Sequence, residues 1–244
     1  MINVEFFTSM NKEYFNHCGK AMLESFIKCY RKKQINLYNE DNFQPMMEKV
    51  KLKGWNLGFQ YNDFQERWKN DNKRVKQFAK KGFSIIHAMN TISADRIVWL
   101  DADTIIKAPF HPHLIEILCP SNVLSVHLGV HHAVGDKKYF SCETGFFILN
   151  KTHPMFKRFK SVYADIYFND KKDDLRRFYD GEVYGKTVEI LQAEGAEMLD
   201  LNPEQRHKTP IPRSLLAPYI SHNKAGIKDD LTNEILEEIY SLKE

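Results

Sequence analysis

No stretch of this 244-residue chain approaches the roughly 20 consecutive apolar residues that a membrane-spanning helix requires. The start, Met1-Ile2-Asn3-Val4-Glu5, lacks the charged-then-apolar layout of a secretory leader, so a cytoplasmic protein is expected. Cysteine is sparse. Cys18, Cys29, Cys119 and Cys142 are scattered without a Cys-x-x-Cys pair, which argues against zinc and disulfide frameworks and suits reduced thiols. Repeats and low-complexity tracts are also absent. So is a glycine-rich, basic loop after the first apolar run, where the turn reads Thr8-Ser9-Met10-Asn11. That absence counts against the usual nucleotidyltransferases.

What is present is a chain long enough for one sizeable core, 43% hydrophobic, with a net charge of only +3. The charge is uneven: the first 90 residues hold 16 Lys/Arg against 9 Asp/Glu. A basic helix expected over 63–81 carries Arg67, Lys69, Lys73, Arg74, Lys76 and Lys80 outside an apolar face, a solvated surface or a track for a polyanion. Gly82 is expected to end that helix and a second to follow. Strands are expected at 3–7, 34–38, 96–100, 122–128, 146–150, 198–201 and 219–221, with 49–62 irregular and 129–141 a loop containing His131 and His132. Helices are expected after the first strand, around 114–118, and over 154–168, 183–193 and 231–242. Strands alternating with helices predict a three-layer α/β fold.

The organising stretch is Arg96-Ile97-Val98-Trp99-Leu100-Asp101-Ala102-Asp103-Thr104. Its unalternating apolar run reads as a strand buried on both faces. Asp101 and Asp103 lie two apart, so their carboxylates can converge just past the strand's carboxyl end, where α/β sheets bind ligands. Paired carboxylates there suit Mg2+ or Mn2+ carrying phosphate. Three later stretches add polar groups: Glu143-Thr144-Gly145-Phe146 before an apolar run ending at Asn150, the acidic pair of Tyr179-Asp180-Gly181-Glu182 at a helix start, and His222-Asn223-Lys224-Ala225-Gly226 with Lys228 beyond.

In this order, the four stretches resemble metal-dependent glycosyltransferases of the GT-A fold, over most of the chain from about Lys73 to Lys228. The resemblance implies a central mixed, mostly parallel sheet in a single domain, 1–244, with a nucleotide-sugar-binding half (1–128) and an acceptor and catalytic half (129–244). It implies a nucleotide-diphosphate sugar donor, UDP-sugars first among candidates, and a Mn2+ or Mg2+ cofactor. Asp101, Asp103 and His222 would hold the metal. Thr8, with Ser9, would lie by the base, and Lys73, Lys76, Asp101 and Lys228 would contact the donor. Asp180 is the expected acid-base residue and Glu143 the alternative. The acceptor would be a glycan or, given the basic first half, a hydroxylated base in DNA. The competing readings are a nucleotidyltransferase or other phosphate enzyme, and a nucleic-acid-binding module.

Overall fold

The computed structural model describes residues 2–41, 43, 47, 49–54, 73–134, 137–169, 175–202 and 210–222. Among them, a seven-stranded sheet is the frame. In chain order its strands are β1 (Val4–Met10), β2 (Ile35–Asn39), β3 (Val50–Gly54), β4 (Arg96–Leu100), β6 (Ser125–His127), β9 (Phe146–Asn150) and β10 (Met198–Asp200). Their order across the sheet is β10-β6-β9-β4-β1-β2-β3, and every pairing is parallel except those of β9 with β4 and β6. Two two-stranded antiparallel ribbons complete the strands: β5 (Thr104–Ile106) with β11 (Ile220–His222), distant in sequence, and the consecutive strands β7 (Gly129–Val134) and β8 (Lys137–Cys142).

The central strands send alternate residues to opposite faces, and both faces are covered. Phe7, Ile97, Trp99 and Phe147 pack on one side under α3 (Lys73–Thr91), α5 (Phe156–Phe168) and α6 (Asp180–Ala193). Phe6, Val98, Leu100 and Phe146 pack on the other, under α2 (Lys20–Cys29) and α4 (Pro112–Leu118). The α2 helix is entered through α1 (Lys12–Tyr14) and one π turn, with Asn11 capping α1 through its side chain to the Tyr14 N–H at 2.8 Å. The three-layer, mostly parallel architecture is therefore as the sequence indicates.

Several expected elements differ. Gly82 does not end a helix; α3 runs continuously to Thr91. At Gly82 the missing side chain admits the ring of Tyr167 from α5, which a Cβ would overlap. The segment 49–62 is not wholly irregular, since Val50–Gly54 adds an edge strand with Lys51 exposed, as edge strands favour. The expected loop over 129–141 is the β7–β8 hairpin. Expected residues 63–72 and 231–242 lie outside the described region. Asn150 sits at the far end of β9, where its amide donates to the Val123 and Ser121 carbonyls and its oxygen accepts from buried Arg96 at 2.5 Å. That clamp is structural.

Candidate active site

Strand direction explains which residues reach the site. β4 runs toward it and delivers Asp101 and Asp103 after its last residue. β9 runs the opposite way, so the residues before its start, Glu143 and Thr144, arrive at the same edge. The Asp101 N–H donates to the Gly145 carbonyl at 3.0 Å, tying the two strand ends together. β11 then brings His222 opposite Thr104 on β5. Gly145 gives this histidine room: a Cβ there would stand 3.0 Å from its ring.

One ligand atom each from Asp101, Asp103 and His222 lies within 4.8 Å of the others. His222 Nε2 is 2.7 Å from Asp103 Oδ1, and Nδ1 is 3.6 Å from Glu143 Oε1. Two carboxylates and an imidazole are a donor set that Mn2+ or Mg2+ accepts, so the residues fit a divalent ion. Burial disfavours a charged His222, but Asp103, through its charge and hydrogen bond, and then Glu143 and Asp101 raise its pKa above the ordinary value. Burial also raises Asp101, with Lys81 opposing and Asp103 adding to the rise.

Lys81 is the residue the sequence reading did not single out. Its ammonium lies 2.9 Å from Asp101 Oδ2 and 2.6 Å from Asp180 Oδ2, donates to the Thr144 carbonyl and hydroxyl at 3.2 Å, and stands over the Trp99 ring at 5.2 Å. Burial works against its charge, yet Asp101 and Asp180 hold it protonated. The effect on Asp180 is reciprocal. Burial alone would raise that carboxyl, but the Lys81 charge and hydrogen bonds from Lys81, Thr144 (2.5 Å) and the Gly181 N–H bring it below the usual value. Asp180 opens α6, where the N-terminal dipole also favours a carboxylate.

These groups line one cleft of about 1010 Å³. From α3 it is lined by Gln77, Phe78 and Lys81; Lys76, half-buried, is not part of this lining. Lys73 opens α3, but its side chain is outside the described residues, as is Lys228. On β1 the cleft meets Ser9 rather than Thr8, which is fully buried with its hydroxyl unpartnered. Ser9 donates to Glu40 Oε1 at 2.7 Å, and burial pushes the Glu40 carboxyl up to about 7 against the Ser9 hydrogen bond and the Lys80 charge.

No family model matches the chain, and no curated protein matches it in sequence. Solved structures match in shape. A galactosyltransferase, LgtC, in complex with donor and acceptor sugar analogues, aligns over 96% of this chain and 95% of its own at TM-score 0.55 and 11% identity. Mouse xyloside xylosyltransferase 1 aligns over 92% and 98% at TM-score 0.52 and 12% identity. The chain has the GT-A glycosyltransferase fold. The bifunctional glycosyltransferase WbbM shares it over 98% of this chain and 50% of its own, at TM-score 0.58 and 14% identity. Within the GT-A fold the carboxylate pair of this chain has the Asp-x-Asp form, at the carboxyl end of β4. Among the described residues, no helix is long and apolar enough to cross a membrane.

Proposed function

We propose that this protein is a metal-dependent glycosyltransferase that moves a sugar from a nucleotide-diphosphate sugar to a hydroxyl of an acceptor glycan. The observation that carries the reading is the convergence of Asp101, Asp103 and His222 past the end of β4, with the Lys81–Asp180 pair joined to them through Lys81 and Asp101, all lining one cleft. In the reaction, the bond between the sugar's anomeric carbon and the phosphate oxygen breaks, and its electron pair leaves with the diphosphate. The acceptor oxygen bonds to that carbon and gives up its proton. Asp101, Asp103 and His222 would hold a divalent ion, which would supply electrostatic stabilisation of the leaving diphosphate.

The protein's own residues divide the remaining work. Asp180, kept ionised beside Lys81, suits stabilisation of positive charge on the sugar and hydrogen bonding to its hydroxyls better than proton abstraction, which favours a pKa near the working pH. Glu143, next to His222 on the cleft wall, is the candidate to receive the acceptor proton. Ser9 and Glu40 lie at the ends of β1 and β2, where on this reading the base of the donor would sit. UDP-sugars are the first donors to try.

A screen of nucleotide sugars with Mn2+, read as release of nucleoside diphosphate, tests the reading. Release from at least one donor, suppressed by EDTA and by Asp103→Asn, is expected. Asp180→Asn should lower turnover by about 100-fold or more while donor binding persists. Pyrophosphate release from a nucleoside triphosphate and a sugar phosphate, with every nucleotide sugar left intact, would instead make the protein a nucleotidyltransferase.

A further inference from the structure

The cleft has a second wall that donor chemistry does not use. At about 1010 Å³ it reaches the upper end of the range for a single small-molecule site. The wall is the β7–β8 hairpin together with the residue just before α6. Alternation along the hairpin turns Val130, His132 and Ser141 toward the cleft, while His131 and Phe140 pack on each other at 5.1 Å. His132 Nε2 and Ser141 Oγ share a hydrogen bond of 2.8 Å. The Tyr179 phenol is close enough to Ser141 and Arg176 for both to bear on its ionisation, and burial raises its pKa. The Arg176 guanidinium is neutralised by Glu182 at 2.7 Å and lies over the Tyr139 ring at 5.4 Å. Tyr179 is flanked by Phe78 from α3, with ring centroids 6.1 Å apart.

This wall therefore offers imidazole, hydroxyl and phenol groups already fixed in place, beside two aromatic rings. That is the mixture of apolar faces and a few placed polar groups that orients a compact, hydroxyl-rich ligand. Charge narrows the choice. With Asp101, Asp103 and His222 set aside for the divalent ion, the described lining residues keep four carboxylates (Glu13, Glu40, Glu143 and Asp180) against one lysine, Lys81. The Lys81 charge is committed to Asp101 and Asp180. A second anion beside the donor would meet like charge, which is disfavoured in a cleft of low dielectric.

We infer that the His132–Ser141–Tyr179 wall is the acceptor subsite and that it takes a neutral sugar, His132 and Tyr179 orienting the acceptor hydroxyl toward the donor. The inference rests on the glycosyltransferase reading and names the acceptor class for it.

The test combines binding and turnover. Saturation-transfer NMR with neutral disaccharides is run on the full chain with Mn2+ and nucleoside diphosphate, for wild type, His132→Ala, Tyr179→Ala and the conservative Tyr179→Phe. Transfer kinetics are measured on the same saccharides, on uronic-acid counterparts and on duplex DNA bearing hydroxymethylcytosine. Melting temperatures verify that each variant is folded. The expected result is an acceptor KM raised about ten-fold or more in His132→Ala and Tyr179→Ala with kcat changed far less, a smaller rise in Tyr179→Phe, and neutral sugars preferred to uronates by at least about ten-fold. Folded variants with wild-type acceptor KM and saccharide binding overturn the subsite, while uronates or DNA used as well as neutral sugars overturn the acceptor class. In both cases nucleoside diphosphate release leaves the glycosyltransferase reading standing. No release from any donor overturns that reading, and the subsite with it.

Discussion

A lysine ammonium placed between buried Asp180 and half-buried Asp101, over an indole face, has its positive charge fixed by geometry rather than by solvent. Replacing Lys81 with Met leaves Asp101 and Asp180 without their shared cation at the base of the cleft. A stability loss of about 3–5 kcal/mol is expected, measurable by urea denaturation. Glu40 gives the opposite case. Burial lifts its pKa to about 7 from an ordinary 4.5, so the unfolded chain releases this proton well before the folded chain does. As pH rises from about 4.5 to 7 the folded state thus loses stability relative to a chain with no titrating group at this position, and above 7 the group adds no further slope. Glu40→Gln should gain on wild type by on the order of 3 kcal/mol across that window, checked by denaturation at a series of pH values. Neither role is legible in the sequence. Lys81 follows Lys80 in a basic helix, and period alone does not say that one points to Glu40's carbonyl and the other into the site. Asp101 and Asp103 were legible because an apolar strand runs straight into them.

At the level of elements, α6 and β8 meet at bare backbone. A Cβ on Gly185 would come 2.7 Å from the Ser141 Cα and 3.1 Å from the Phe140 oxygen. Helix propensity favours Ala over Gly by about 1 kcal/mol, but the opposing atoms are main chain and cannot swing aside. The clash should win. Gly185→Ala is expected to be destabilised by about 1–3 kcal/mol, lowering the melting temperature by roughly 2–4 °C for each, as calorimetry would record. Because Ser141 belongs to the wall beside Asp180, acceptor kinetics should suffer with it. The motif around Asp180 was visible as an acidic pair at a helix start. The reason for its glycines was not, since it lies in a strand about 40 residues away. The hairpin over 129–142 was hidden for a similar reason: consecutive histidines and a glycine read as loop, although alternation puts His132 and His131 on different sides. Gly82 misled in the same direction, because a helix breaker by propensity is here a packing slot for Tyr167.

For the whole molecule, one cleft joins residues from β1, α3, the β4 end, β8 and β11, so ligand binding should tighten the fold as a unit. A ligand at 100 times its dissociation constant adds about 2.7 kcal/mol, or roughly 5–10 °C for a chain of this size. Thermal melts should show this rise with Mn2+ and nucleoside diphosphate together, and much less with the nucleotide in EDTA. The layered fold was readable because strand and helix patterns alternate. The position of β9 was not, for nothing local says that residues 146–150 run antiparallel between β4 and β6. That position has a consequence for biosynthesis. While the chain is being made, β4 can find β1 at once, but its other edge stays bare until β9 emerges. At about 5–20 residues per second, the roughly 50 intervening residues take on the order of 2–10 s. For that time Ile97-Val98-Trp99-Leu100, uncharged and strongly strand-forming, is an open template for neighbouring nascent chains. Arg96 and Asp101 stand at its two ends, where charged gatekeepers limit such stacking. Asp101 thus guards the newborn chain before there is a cleft for it to serve.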